Sequence, residues 1–430
     1  MKKFLALLLL CVIAATLFPA CKDSASHPST PPAQQPEVSE YAVKDLSYIA
    51  SAISGYDAVR KITFSSPESS EGLTEYALYW GADGKPLENF TKIASLPADG
   101  DSYVYDLPPN TYVPEEAEEI IAETWFHDVK LETTAAKLPA LDRSEKLFEF
   151  QVISDFQLGY NGTQQTIRTE NAFRQIKELS PATSGIFIVG DMTEHGTESE
   201  YQDMASIVNR VYGNEKPDLY YAIGNHESYD KQTYAEMLAL YEKYTGQNAP
   251  YYAAEIGGMK FIVLGSVRES AQVGVYAELG REQLDWLEKE LEATDDKTTV
   301  FLFLHQPLRN TVSGTLESLS QTWYGLYSDE DLRLRQILKN HTNVTFFTGH
   351  THWHLESESP ALFGNGKDAN YFNTASVGYL WQGEGGGGHY PGSQGLFVEV
   401  FEDYFTVRGR EFENEMWLTD AQYVLPRTFA

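Results

Sequence analysis

Seven side chains that can bind a metal ion stand at or just after the ends of short apolar runs in the sequence. They combine carboxylate, imidazole and amide groups, a mixture that suits Mn, Fe, Zn or Ni better than Mg or Ca alone without choosing among these ions. The chain has 10 histidines, so chance is a poor explanation for these positions. The candidate ligands are Asp155, Gln157, Asp191, Asn225, His305, His350 and His352.

Asp191 is the candidate for a carboxylate shared by two ions, because it follows the uninterrupted apolar run Ile186-Phe187-Ile188-Val189. Two cations about 3.5–4 Å apart need a bridging carboxylate, further ligands for each ion and an open position for water. The other ligands then divide into two sets, Asp155 and His352 for one ion and Asn225, His305 and His350 for the other.

A site of this kind activates water. A water shared by two cations loses a proton near neutral pH and becomes a metal-bridging hydroxide, while the ions neutralise charge that builds on a phosphoryl oxygen. An in-line attack also needs an acid for the leaving oxygen, and His226, next to Asn225 and without a ligand role, is our candidate. The alternative is that His226 only holds its loop through hydrogen bonds.

The ordered set of motifs resembles the calcineurin-like metallophosphoesterase superfamily, which includes the purple acid phosphatases. The resemblance extends over about residues 147–404 and implies a two-sheet core flanked by helices, a dinuclear metal centre and hydrolysis of phosphoric esters. A β-sandwich in front of the catalytic domain is also similar to some purple acid phosphatases. The motifs are Asp155, Gly190-Asp191, Gly224-Asn225-His226-Glu227, His305 and Gly349-His350-Thr351-His352.

Two positions depart from the usual pattern of that superfamily. Gln157 stands where most members have histidine, and an amide oxygen binds a transition metal more weakly, so one ion would be held loosely. Glu194 stands where purple acid phosphatases carry a tyrosinate ligand. We expect Glu194 to pair with His226 and to raise the pKa of that histidine, with metal ligation as the alternative.

Two further residues are candidates for substrate contacts. His195 occupies the place of a phosphate-binding arginine in the related phosphoprotein phosphatases, although a hydrogen bond within its own loop is the alternative. Arg309 lies in the long connection 308–329, which we expect to form a rim of the active site.

From about residue 147 the chain alternates strand, loop and helix, which predicts an α/β fold. Apolar runs at 148–153, 186–189, 219–223, 300–304 and 344–347 predict strands that are buried on both faces. Helices are expected at about 166–179 and 199–212. Because ligands bind at the carboxyl ends of such strands, we expect all five strands to bring their polar residues to one edge. This catalytic domain is predicted to occupy residues 144–430.

Residues 41–143 have a different pattern of short alternating runs separated by turn-forming residues. Runs such as 59–64, 76–80 and 102–105 predict a small all-β domain, a sandwich of the immunoglobulin or fibronectin type. The segment has no cluster of potential ligands. We therefore expect a spacer or docking module, with a sugar-binding module as the alternative.

The first residues predict export from the cytoplasm. Residues 1–20 combine a basic start with a short apolar run, which is typical of a signal peptide, and Cys21 follows as in a bacterial lipobox. We expect a membrane-anchored lipoprotein, periplasmic or on the cell surface, whose residues 21–40 form a disordered tether rich in Pro, Ser and Gln. Plain secretion is the alternative.

The composition argues against nucleic acid as the natural partner, because a formal net charge of −30 repels a polyphosphate backbone. The leading hypothesis is a dinuclear hydrolase of phosphorylated small molecules or lipid head groups, either monoesters or diesters. The alternative is a metal-binding surface lipoprotein with weak or no catalysis, in which the β-sandwich mediates binding.

Overall fold

The computed structural model describes residues 39–50, 60–140, 144–160, 162–229, 233–381 and 389–427. The predicted signal peptide, the lipidation site Cys21 and nearly all of the tether lie outside these residues. Within the described part of the chain, no helix is both long and apolar enough to span a membrane. The residues from Glu40 onward form one compact unit.

The elements are numbered in chain order. The strands of the first part are β1 Lys44–Ala50, β2 Arg60–Ser65, β3 Glu75–Ala82, β4 Lys85–Pro86, β5 Ala94–Pro97, β6 Ser102–Asp106, β7 Glu119–Phe126 and β8 Val129–Lys137. The helices are α1 Gln164–Leu179, α2 Glu198–Tyr212, α3 Tyr234–Thr245, α4 Ser270–Val273, α5 Gly280–Glu292 and α6 Ser328–Lys339. The remaining strands are β9 Lys146–Ile153, β10 Ile186–Val189, β11 Leu219–Ala222, β12 Tyr252–Ile256, β13 Met259–Val263, β14 Val300–Phe303, β15 Val344–Thr348, β16 Ala361–Leu362, β17 Asn370–Asn373, β18 Leu380–Trp381, β19 His389–Tyr390, β20 Gln394–Phe401, β21 Tyr404–Glu411 and β22 Met416–Pro426.

The first part of the chain consists of two antiparallel sheets around one core. One sheet has the order β1-β2-β6, and the other contains β4-β3-β7-β8 with β5 paired to β3. Inward-facing side chains of both sheets, including Ile62, Phe64, Tyr76, Trp80 and Ile120, belong to the same apolar cluster. The prediction of an all-β N-terminal part agrees with this arrangement, while its membership of the immunoglobulin or fibronectin type stays a prediction.

The second part is an α/β fold with two six-stranded sheets, ordered β11-β10-β9-β20-β21-β22 and β12-β13-β14-β15-β17-β16. The two sheets pack face to face through a phenylalanine-rich core, in which Phe187 stacks on Phe303 with 4.2 Å between ring centroids. Helices α1, α2 and α3 cover the outer face of the first sheet, and α5 and α6 cover the second. The predicted two-sheet sandwich flanked by helices is therefore confirmed.

The ligand-bearing strands belong to both sheets, which corrects the expectation of a single edge. Strands β9, β10 and β11 are parallel neighbours in the first sheet, whereas β14 and β15 are parallel neighbours in the second. β10, β14 and β15 are buried throughout, whereas β9 is buried over its last five residues and β11 over its last two. Burial alone does not reveal which sheet a strand joins, because strands covered on both faces have similar sequences in either sheet.

Loops of the N-terminal sandwich cover the free edge of β22. Tyr112 N–H donates to the carbonyl oxygen of Gln422 over 2.9 Å, and Val424 N–H donates to that of Asn110 over 2.7 Å. Phe90 also packs into the core beneath α1 and α2. An uncovered edge strand would present unpaired N–H and C=O groups to other chains, and these loops satisfy part of that edge.

Candidate metal centre

Asp191 lies at the centre of the converging polar groups. Its carboxylate belongs to two clusters of ligand atoms, each with all atoms within 4.8 Å of one another. One cluster joins Asp191 to His305 and His350, and the other joins it to Asp155 and His352. All five side chains are buried. The structure thus brings together five of the seven predicted ligands, with the predicted shared carboxylate between two groups.

The ring of His305 lies so close to the Asp191 carboxylate that a proton or metal ion is needed between them. Its Nδ1 lies 2.7 Å from the carbonyl oxygen of Val189, which can only accept, so Nδ1–H is the donor of this hydrogen bond. Nε2 is then the ring nitrogen that is left to bind a proton or a metal ion. Nε2 lies 3.1 Å from Asp191 Oδ2, and two lone pairs at this distance repel unless a proton or metal ion lies between them. Burial lowers the pKa of His305, but the carboxylates of Asp191 and Asp155 outweigh it and raise the pKa to about 10.

His352 and Asp155 repeat this arrangement. His352 Nδ1 lies 3.1 Å from the carbonyl oxygen of Tyr379, and Nε2 lies 3.0 Å from Asp155 Oδ1. The other oxygen, Asp155 Oδ2, accepts from Ser154 Oγ at 2.5 Å and from the backbone N–H of His350 at 3.1 Å. Each ligand is therefore oriented by a second hydrogen bond, as is usual for metal-binding imidazole and carboxylate groups.

The donor atoms present fit metal ions. Buried polar atoms usually have hydrogen-bond partners, and leaving one without costs about 1–3 kcal/mol. In the described part of the chain, the buried atoms with lone pairs that lack such a partner include Gln157 Oε1, Asn225 Oδ1 and His350 Nε2 at this place. Burial, followed by the neighbouring His305, lowers the pKa of His350 to about 3, which keeps its imidazole in the neutral form that binds metal.

The two predicted amide ligands, Gln157 and Asn225, differ in the orientation of their side-chain amide groups. The amide nitrogen of Gln157, rather than its oxygen, lies 3.1 Å from Asp191 Oδ2 and donates to it. A ligand role for Gln157 requires rotation of the amide to bring Oε1 forward and stays a prediction. Asn225 has its carbonyl oxygen held by Ser270 Oγ, and its side-chain Oδ1 is buried without a hydrogen-bond partner among the described residues.

The backbone at the ligands adopts an unusual conformation. Residues with a Cβ rarely adopt positive φ, which costs about 1–3 kcal/mol and clusters at functional sites. Five of the seven predicted ligands have φ between 50° and 70°, namely Asp155, Gln157, Asp191, His350 and His352. The loops after β9, β10 and β15 therefore turn sharply, and this turn directs successive side chains back towards one point.

The glycines that precede ligands allow close approach. A Cβ on Gly190 would lie 2.6 Å from His305 Nδ1, and a Cβ on Gly349 would lie 2.5 Å from Asp155 Oδ2. A Cβ on Gly224 would overlap both Asp191 Oδ1 and the Asp191 backbone nitrogen. The glycines of the Gly-Asp, Gly-Asn-His and Gly-His-x-His motifs are therefore required because a side chain at these positions would collide with a ligand residue.

Replacing Gly224 with alanine tests this steric requirement. We expect the free energy of unfolding to fall by about 1–3 kcal/mol, because the methyl group must displace Asp191, and we expect weaker metal retention. Denaturant unfolding and metal analysis after dialysis measure the two effects. Gly100→Ala is the matched control, because the added Cβ there has its nearest neighbour at 3.6 Å. Equal results for the two variants would contradict the steric explanation.

His226 lies beside the shared carboxylate without a place in either ligand cluster. Its backbone N–H donates to Asp191 Oδ1 over 2.8 Å, and its Nε2 lies 4.0 Å from Asp191 Oδ2. Its Nδ1 lies 2.7 Å from the carbonyl oxygen of Glu194 and 3.6 Å from the Glu194 carboxylate. Burial lowers the pKa of His226, but Asp191 and then Glu194 outweigh it, so the net shift is upward. Burial raises the pKa of Glu194 itself.

The structure does not bring His195 or Arg309 to the ligand clusters through any contact that it describes. His195 Nδ1 lies 3.0 Å from Glu200 Oε1, and this glutamate also accepts from the backbone N–H of His195 and caps the start of α2. The guanidinium of Arg309 pairs with Glu317 at 3.0 Å and lies 4.1 Å above the ring of Tyr324. Phosphate contacts by these residues stay a prediction.

Glu227 is a residue to which the sequence pattern assigned no function. It is fully buried, and its carboxylate accepts from the backbone N–H groups of Asp191, Met192 and Gly224 at 2.9, 2.8 and 2.6 Å. Burial and then the charge of Asp191 raise the pKa of Glu227 to about 7. Glu227 therefore ties the loop after β10 to the loop after β11. Its place in the motif Gly224-Asn225-His226-Glu227 was the available signal.

One family model and several known proteins match parts of this chain. Residues 149–354 match the model of the calcineurin-like phosphoesterase family. A purple acid phosphatase, PPD1, from yellow lupin (Lupinus luteus) seeds aligns with 89% of this chain and 74% of its own, at 12% identity and a TM-score of 0.48.

Three curated relatives carry phosphodiesterase names. They are a probable cyclic nucleotide phosphodiesterase of Rhodococcus erythropolis (24% identity), a 3′,5′-cyclic-nucleotide phosphodiesterase of Nostoc sp. (26%) and a probable glycerophosphodiester phosphodiesterase of Arcobacter nitrofigilis (29%). The alignments cover 35%, 42% and 35% of this chain. The chain spans 47%, 65% and 52% of the lengths of these relatives.

Proposed function

We propose that this chain is a metal-dependent phosphoric ester hydrolase that uses two metal ions. The observation that carries the proposal is the position of the Asp191 carboxylate, which is common to both clusters of ligand atoms. A carboxylate between two groups of imidazole and carboxylate ligands is the arrangement that a two-metal site requires. The match of residues 149–354 to the calcineurin-like phosphoesterase family supports the same conclusion.

The ligands would divide between the ions as the clusters do. Asp155 and His352 would hold one ion, His305 and His350 the other, and Asp191 both, while Asn225 Oδ1 is available to the second set. When bound, the two cations would supply a water nucleophile at neutral pH and neutralise the charge that develops on phosphoryl oxygens. The ligand types favour Mn, Fe, Zn or Ni.

His226 is the proposed proton donor to the leaving oxygen. It contacts the shared carboxylate through its backbone N–H, and its Nδ1 is held by the carbonyl oxygen of Glu194. Its Nε2 is therefore the nitrogen available to carry a proton into the site. The upward shift of its pKa near Asp191 and Glu194 favours the protonated form that an acid needs.

Small phosphoesters are the proposed substrates, and phosphodiesters are the first to test because all three curated relatives are named as phosphodiesterases. The formal net charge of −30 argues against polymeric nucleic acid.

A metal-reconstituted substrate screen tests the proposal. We expect protein loaded with Mn to hydrolyse bis(p-nitrophenyl) phosphate, to lose this activity on chelation and to regain it when Mn, Fe, Zn or Ni is returned. p-Nitrophenyl phosphate, assayed beside it, separates diesterase from monoesterase activity. The same preparation before and after chelation is the internal control.

Metal analysis of the same samples decides between outcomes. Two retained ions per chain together with turnover support the proposal. Retained metal without turnover of any mono- or diester would overturn it and would favour the alternative of a metal-binding surface protein.

A further inference from the structure

Three tryptophans from separate segments form one aromatic cluster. Trp323 lies 5.4 Å from Trp381 and 6.2 Å from Trp353, and Trp353 lies 6.4 Å from Trp381, measured between ring centroids. The rings of Trp353 and Trp381 are nearly parallel, at 16°. Neither the ligand clusters nor the proposed acid uses any of these rings.

Backbone contacts place this cluster next to the metal ligands. Trp353 directly follows His352, and the N–H of Trp381 donates to the carbonyl oxygen of His352 over 2.7 Å. On the other side, a Cβ on Gly325 would lie 3.5 Å from His350 Nε2. Trp323 precedes Gly325 by two residues, so their Cα atoms are at most about 7 Å apart. Trp323 is therefore within reach of a substrate whose phosphate lies at the ligands.

Trp323 is the most exposed member of the cluster, since Trp381 is half-buried and Trp353 is buried. Its exposed fraction is 40%, whereas Trp353 is 5% exposed. The ring contacts those of Trp353 and Trp381 at interplanar angles of 58° and 43°. The backbone N–H of Trp323 donates to the carbonyl oxygen of Gly314 over 2.8 Å. Gly314 in turn packs against Thr351 and Trp353, where a Cβ would approach Trp353 to 3.0 Å. A large ring that is held rigidly and stays exposed offers contact area at little entropic cost.

We propose that Trp323, supported by Trp353 and Trp381, stacks on the base of a nucleoside phosphate ester bound at the metal centre. This inference rests on the proposed function and specifies its substrate class. A flat heteroaromatic base matches the flat indole surface, and base–aromatic stacking is strong enough to select a substrate. The negative charge of the chain disfavours a polynucleotide as that ligand.

Two inhibitors that differ only in the base test this proposal. Adenosine 5′-monophosphate and ribose 5-phosphate carry the same phosphate and sugar, and each is measured against hydrolysis of bis(p-nitrophenyl) phosphate by the metal-loaded protein. We expect the nucleotide to bind about five- to a hundredfold more tightly. Trp323→Ala should bring this ratio close to one without changing the inhibition constant of ribose 5-phosphate, and Trp323→Phe should retain part of it.

Trp286→Ala is the control, because Trp286 is a partly buried tryptophan on α5 that packs on Tyr251 and should leave the ratio unchanged. A wild-type ratio near one, or a ratio that survives Trp323→Ala, overturns the stacking proposal while hydrolysis still stands. Equal weakening of both inhibitors would indicate a structural or sugar-binding role and also overturns it. If the wild type hydrolyses nothing, the proposed function fails, and calorimetric binding of the two compounds then decides on stacking separately.

Discussion

Asp191→Asn is expected to abolish hydrolysis and to release at least one metal ion. The substitution keeps the shape of the side chain but removes the negative charge that both ligand clusters share. It also gives the group an NH₂, which would face the backbone N–H of His226 at the position of Oδ1 or His305 Nε2, 3.1 Å away, at the position of Oδ2. We expect kcat/KM to fall by at least about a thousandfold, which corresponds to about 4 kcal/mol in the barrier.

Metal content and rate must be measured on the same preparation of Asp191→Asn. Asp203→Asn is the matched control, because Asp203 is an exposed aspartate on α2 and its change should alter neither quantity. A variant that retained two ions and full activity would reject Asp191 as the shared ligand. Loss of activity with both ions retained would show that the charge acts on the reaction rather than on metal retention.

His226→Gln has the second largest expected effect, and here the ions should stay. Glutamine can still donate and accept hydrogen bonds in the loop, but it cannot deliver a proton at neutral pH. Removal of a general acid slows a reaction by about a hundred- to ten-thousandfold. His226 lies in neither ligand cluster, so metal content should equal that of the wild type.

The leaving group separates the acid role of His226 from a structural one. A nitrophenolate leaves readily without a proton, whereas an alkyl alkoxide needs one, so the loss of rate in His226→Gln should be small for nitrophenyl esters and large for alkyl esters. A loop-holding role predicts equal losses for both. His127→Gln, at an exposed position of the N-terminal sandwich, is the control. Full activity of His226→Gln on alkyl esters would reject the assignment.

The sequence was most informative where chemistry and local pattern coincide. The apolar runs that became β9, β10, β14 and β15 end two residues before Asp155, Asp191, His305 and His350 of the ligand clusters, so element and ligand could be predicted together. The pairing of strands could not. β20 lies antiparallel beside β9 although Val398 and Phe150 are far apart in the chain, and no local pattern specifies that neighbour. The two-sheet core was expected from family resemblance rather than from the pattern of residues.

The substrate contacts predicted for His195 and Arg309 stay predictions, because the structure shows each of these side chains with an acidic partner. His195 was expected near phosphate, but Glu200, the capping residue of the next helix, lies beside its ring. Arg309 similarly pairs with Glu317 within the same loop. The role of Glu227 in joining two loops was missed because its partners are backbone N–H groups. Almost every residue has such a group, so the sequence does not show which of them Glu227 binds.

The left-handed turns at Asp155, Asp191, His350 and His352 matter for anyone who wishes to transplant this centre into another scaffold. Copying the side chains onto ordinary helices or strands would point them in diverging directions. The portable unit is the set of loop conformations together with the glycines beside them and the buried Glu227 that joins two of the loops. A designed host would have to reproduce that backbone first and choose its ligands afterwards.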